Sequence, residues 1–221
     1  MSLLIAIWVI DMRNERRPAA PATTAPVATS ESAATSLSFP GEKHLANIRQ
    51  ITFGGQNAEA YFSADDKQLI FQHQGQFYDP QSKAPAGVGV PCDQQYTIAL
   101  DAAGGGSPAM SQRVSNGQGR TTCGYFFPAG DRILYSSTFG GGAACPPPAD
   151  YSQGYVWPIY DTYSIYTAKP DGSDVRPLAA PKGYNAESTI SRDGTHVVFT
   201  STRRGDLDIY TMDSDGSNVR Q

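Results

Sequence analysis

A chain of 221 residues is long enough for one sizeable β domain, and its 22 glycines, 16 prolines and 17% charged residues make the turn-dense, charge-poor mixture of β architecture. Net charge is −4, and Arg203-Arg204 is the one basic pair inside the repeats, which argues against a nucleic-acid partner. The three cysteines lack the spacing of a zinc site and no Gly-x-Ser-x-Gly elbow occurs, so neither metal nor other cofactor is expected and no catalytic residue is visible.

Residues 1–44 differ in character from the rest. Leu3–Ile10 is an apolar run within the range of a signal-peptide core and far short of the roughly 20 residues that span a bilayer, so no membrane span is expected. No Lys or Arg precedes this run, and Arg13, Arg16 and Arg17 follow it, the wrong side for a secretory signal. It reads as a signal-like or anchor segment. Between Pro18 and Ser38 the chain is Ala, Pro, Thr and Ser apart from Val27, Leu37 and one charge, Glu31, a composition too poor in apolar surface to order itself, and it reads as a disordered linker.

From residue 45 the chain repeats. Asn47–Thr52 comes first and resembles the terminal Asn218-Val219-Arg220-Gln221. Tyr61–Phe71 is a strand, a tight turn and a strand, and it returns at Phe126–Tyr135 and at Thr189–Phe199. The closing aromatics stand at 71, 135 and 199, a period of 64 residues, and a fixed period signals an array of identical supersecondary units. A third strand with a Tyr-Thr core follows each hairpin, at Tyr96-Thr97, Tyr166-Thr167 and Tyr210-Thr211. It leads to a turn, Gly104–Ser107 in the first unit and Asp171-Gly172 and Asp215-Gly216 in the others, and then to a fourth strand. Four antiparallel strands per unit is a β-propeller blade. Blades are expected over about 53–114, 115–179 and 180–221, with inner strands near 58–63, 123–127 and 186–191.

Ser191–Thr195 before Val197-Val198-Phe199, then Gly205–Tyr210 and Asp213–Ser217, resembles the WD-like repeat of TolB-type and tricorn-type propellers. The likeness covers about residues 45–221, with the third repeat matching best. It implies an all-β, incomplete propeller of three blades. Such propellers commonly use an N-terminal strand to complete the final blade, and 47–52 is the expected closure strand. Closed propellers have about four to eight blades, so the chain reads as a fragment; the alternative is an open three-blade wedge. Unpaired blade edges would make self-association possible.

The loops of one rim carry the candidate sites. The aromatic of the second strand and the tyrosine of the third stand at 71 and 96, 135 and 166, and 199 and 210, so blades one and two carry inserts that blade three lacks, and both project from the side where first strands begin. Binding residues concentrate on loops held by a rigid scaffold. Asn57 and Glu59 recur as Asn185 and Glu187, giving carboxylates near the channel for a cation or basic ligand, or else turn-forming amides with Glu bonded to a neighbouring blade's backbone. Blade two has Cys123 in that place. The insert Tyr151–Tyr160 contains Tyr155, Trp157 and Tyr160, which either form a stacking platform or pack over the blade. Cys92, Cys123 and Cys145 fall on the same rim, where a disulfide would imply a periplasmic or extracellular setting. Cys123–Cys145 ranks first because both lie in blade two, and Cys92–Cys145 second.

These features favour an exported, non-enzymatic binding or scaffold module with a protein, peptide or glycan ligand on the rim. The alternatives are the propeller portion of a larger peptidase and a propeller polysaccharide lyase.

Overall fold

A computed structural model of the chain describes residues 8–9, 37, 39–101, 111–179 and 182–221. Most of the expected signal-like segment and linker, and the turn Gly104–Ser107, lie outside these. The chain divides into two compact units, one over Trp8–Gln50 and a larger one that contains Ile51–Gln221. In the smaller, β1 (Trp8–Val9) pairs antiparallel with β2 (Arg49–Gln50), part of the segment read as a closure strand.

The larger unit is built from three antiparallel sheets, each in simple chain order. The first contains β3 (Gln56–Phe62), β4 (Gln68–Tyr78), β5 (Pro85–Ala99) and β6 (Ser111–Arg113). The second contains β7 (Thr121–Phe126), β8 (Ile133–Ser137), β9 (Ser164–Ala168) and β10 (Arg176–Ala179). The third contains β11 (Asn185–Ile190), β12 (His196–Ser201) and β13 (Asp208–Asp213), and Arg220 bridges Thr211 where a fourth strand would lie. Inner strands begin one or two residues before their expected positions. A three-residue 3-10 turn at Phe139–Gly141 is the one helical element among the described residues.

The repeat survives into packing. Phe71 faces Tyr96, Tyr135 faces Tyr166, and Phe199 faces Tyr210 across adjacent strands. Their ring centroids lie 6.1, 6.3 and 5.8 Å apart, each pair tilted by 31°. Large apolar cross-strand pairs of this kind stabilise a sheet by burying ring surface on one face. Neighbouring blades then bury the faces between them. Ile133 and Tyr135 join Ile70, Phe126 and Tyr166 in the core between the first two blades. Leu134, one residue out of phase, joins Ile165, Val197 and Phe199 in the next core. Strand β8 is therefore buried along its whole length, because alternate side chains serve two different interfaces.

Each inner strand breaks register at the same place, between Ala58 and Tyr61, Thr122 and Tyr125, and Ala186 and Thr189. Glu59, Cys123 and Glu187 occupy the break with φ of 50°, 50° and 56°. Non-glycine residues enter this region rarely, so three at the 64-residue period make the bulge part of the repeat. In the second blade the next residue is Gly124, where a Cβ would sit 2.2 Å from Gln95 Oε1.

Blade one departs from the expected loop. Its insert continues the sheet as a long hairpin in which Gly75 pairs with Val90 and Tyr78 with Pro85. The hairpin closes over Asp79, whose Oδ1 accepts the amides of Gln81 (3.0 Å) and Ser82 (2.7 Å). His73 is thereby an interior residue of β4.

Leu134 and Val198 are repeat-equivalent, yet Leu134 is fully buried between blades and Val198 is 37% exposed on the far face of blade three. Leu134→Ala is expected to lose about 2–4 kcal/mol in denaturant titrations and Val198→Ala less than about 1. Equal losses would contradict the inter-blade core.

Candidate functional site

The expected rim contains a cleft of about 220 Å³. One wall is blade one, where Gln72 and Gln74 alternate onto the same face of β4, Gln56 pairs with Gln74 from β3, and Asp93 comes from β5. Its floor is the start of β7, with Arg120, Thr121 and Thr122, together with the buried tyrosines Tyr163 and Tyr184. The aromatic insert of blade two closes the other side with Tyr151, Tyr155, Trp157 and Tyr160. Tyr155 is 80% and Trp157 50% exposed, so these rings remain open to solvent.

Local bonds hold the rings in place. Trp157 Nε1 donates to Tyr184 Oη (3.3 Å), and Tyr184 donates to Glu187 Oε1 (2.7 Å). The Tyr160 hydroxyl donates to the Pro147 carbonyl at the start of the insert. Burial together with the Glu187 carboxylate raises the Tyr184 hydroxyl far above its usual range, so it stays protonated as the donor in this chain.

A disulfide ties the two inserts together. Cys92 on β5 is bonded to Cys145, with Cα atoms 6.0 Å apart, and Cys123 is a buried free thiol. This corrects the first-ranked pairing of Cys123 with Cys145. Extension of β5 beyond the blade carries Cys92 to within 2.9 Å of the Gly119 carbonyl, and the Gly119 amide bonds to Ala143 O (2.9 Å), two residues before Cys145. Cys123 instead sits in the inner-strand bulge, where its amide donates to Glu59 Oε2 (3.2 Å) across the blade boundary. Desolvation first, and then the Glu59 carboxylate, push its thiol well above the usual range.

The candidate residues divide accordingly. Tyr155, Trp157 and Tyr160 meet in the cleft, with Glu187 one hydrogen bond behind. Glu59 bonds to the neighbouring blade's backbone. Asn57 and Asn185, expected on the rim, are buried in the scaffold, a correction with a plain cause in their bonding. Asn57 Nδ2 donates to Gly54 O, and its Oδ1 accepts His73 Nδ1 (2.9 Å). Asn185 donates to Gly183 O and accepts the Ser201 hydroxyl (2.7 Å). The glutamines, Asp93, Arg120 and Tyr184 also line the cleft, and no motif in the sequence marks them as site residues. The one signal was the alternation of Gln72 and Gln74, and it needed the β3–β4 register to gain meaning. Among the described residues, no group of three His, Cys, Asp or Glu is placed to hold a metal, and no helix is long and apolar enough to cross a membrane.

No family model matches the sequence, and no curated relative matches it. Among solved structures, TolB from Acinetobacter baumannii aligns with a TM-score of 0.54 and 20% identity over 79% of this chain and 34% of that one. A Mycobacterium tuberculosis puromycin-hydrolyzing peptidase aligns at 0.51 and 15% over 79% of this chain and 25% of that one. The fold is that of a TolB-like β-propeller. At these identities the likeness concerns the fold alone, and the chain spans about a third of that TolB and a quarter of that peptidase.

Two outcomes test this geometry. Peptide mapping without reductant should return the Cys92–Cys145 pair, with Cys123 alkylated only after denaturation; a Cys123 crosslink would overturn the arrangement. Removing the bridge, which spans 53 residues, should cost about 4 kcal/mol through loop-closure entropy.

His73 provides a pH test. Burial lowers its imidazole to about 4, against about 6.5 in an unfolded chain. Between these values the unfolded chain takes up a proton that the folded one refuses, so stability falls as pH drops through that window, by up to about 3 kcal/mol. His73→Gln should flatten that part of the pH dependence in denaturation midpoints. An unchanged slope would mean that the ring is solvated.

Proposed function

We propose that the chain is an exported binding module whose ligand seats in the rim cleft between the blade-one glutamines and the blade-two aromatic insert. The observation that carries this reading is the exposure of Tyr155 and Trp157 in a concave, disulfide-tethered wall. Exposed large rings are costly to leave in water, and fixed ones lose little entropy on covering a ligand. A periplasmic or extracellular setting is supported by the Cys92–Cys145 bridge, since such bonds persist in oxidising compartments. A role as the propeller portion of a larger peptidase is supported by the shared fold with the puromycin-hydrolyzing enzyme; catalytic residues would then lie elsewhere.

Screening the full chain against protein, peptide and glycan arrays, followed by titration of the best hit, tests the reading. Trp157→Ala and Tyr155→Ala should each weaken binding about tenfold to a hundredfold with little change in melting temperature. Full affinity in both variants would remove the cleft as the site.

A further inference from the structure

We infer that the cleft recognises a neutral sugar ring of a glycan, a ligand class that rests on the rim-binding reading above. Three observations point there. The first is charge. Asp93 and Arg120 are the only charged residues lining the cleft among those described, and they face each other at 3.5 Å between Oδ2 and Nε. Their charges offset, so nothing attracts a phosphate, a carboxylate or a basic side chain.

The second is an unmet hydrogen-bonding atom. Gln72 Oε1 is a buried acceptor with no hydrogen-bond partner, on a side chain that lines the cleft. A ligand hydroxyl can donate to it once the side chain turns toward the ligand. A site that bonds a substrate hydroxyl rejects analogues without it.

The third is shape. About 220 Å³ lies below the roughly 300–1,000 Å³ of pockets for drug-sized ligands and suits one ring. Trp157 and Tyr155 face the cleft from the insert, and the C–H face of a pyranose against an aromatic ring removes apolar surface of both from water. Pro-rich peptides also dock aromatic-lined grooves, and the peptide array below separates that occupant from a sugar ring. The apolar lining here consists of rings, Val156 and Pro158.

The test is an array of neutral oligosaccharides of different linkage beside an array of peptides, probed with the full chain, and then calorimetric titration of the best glycan. Wild type should bind a glycan, and Trp157→Ala should abolish it. Gln72→Met should weaken binding at least tenfold while the unliganded melting temperature holds or rises, since the substitution removes an unpaired buried oxygen. Glycan binding indifferent to Gln72→Met overturns the inference. Peptides bound in place of glycans, with sensitivity to Trp157→Ala, overturn it and leave the rim-binding reading standing. Binding on neither array, or binding insensitive to Trp157→Ala, overturns both.

Discussion

The larger unit depends on burying sheet faces between adjacent blades. A blade strand such as Ile133–Ser137 has no solvent side, and its alternate residues must find two partners. Ile133 and Tyr135 find blade one, and Leu134 finds blade three. A single blade would leave both of these sets in water, so stability resides in the contacts between repeats. Blade three shows the converse: Val198 and Ile209 lie on the face away from its neighbour and are exposed, while Val197 and Phe199 are buried.

Rigid stacking of this kind fixes the strand ends, and the strand ends fix the cleft. Gln56, Arg120 and Tyr184 each stand at or just before the start of an inner strand, one per blade. The bulges at Glu59, Cys123 and Glu187 turn those strands at matching points, and Glu59 bonds to the amide of Cys123 across the first blade boundary. The aromatic insert is then attached to this frame by the Cys92–Cys145 bond and by the Trp157–Tyr184–Glu187 chain. Binding surface and scaffold share Tyr184, which ties the placement of the ring wall to the packing of blade three.

Buried polar residues complete the inner strands in the same way in different chemistry. Asn57 meets His73 and Asn185 meets Ser201, both as cross-strand partners, while Thr121 faces Ser137 at the same position in blade two. Positions that look like rim chemistry in a linear reading are thus internal supports. An amide buried without partners would be costly; Asn57 is bonded within its blade, while Asn185 also donates to the Tyr163 carbonyl of blade two and the Thr121 hydroxyl donates to the Asp93 carbonyl of blade one.

Much of the fold was legible in the residues because local chemistry repeats. The 64-residue spacing of Phe71, Tyr135 and Phe199, the Asp-Gly turns and the Tyr-Thr strands define the unit, its strand count and its inner strands to within two residues. The location of the two inserts and the aromatic content of Tyr151–Tyr160 were equally visible. What the residues alone left open was every relation between segments that the period does not cover. Whether Gln74–Asp93 loops out or extends the sheet depends on pairing across a hairpin, and that extension in turn decided that Cys92 reaches Cys145. The assembly of Gln72, Asp93, Arg120 and Trp157 into one cleft arises from three blades packed side by side. Residue identity sets what a side chain can bond to; only tertiary packing sets which partners lie within hydrogen-bonding distance.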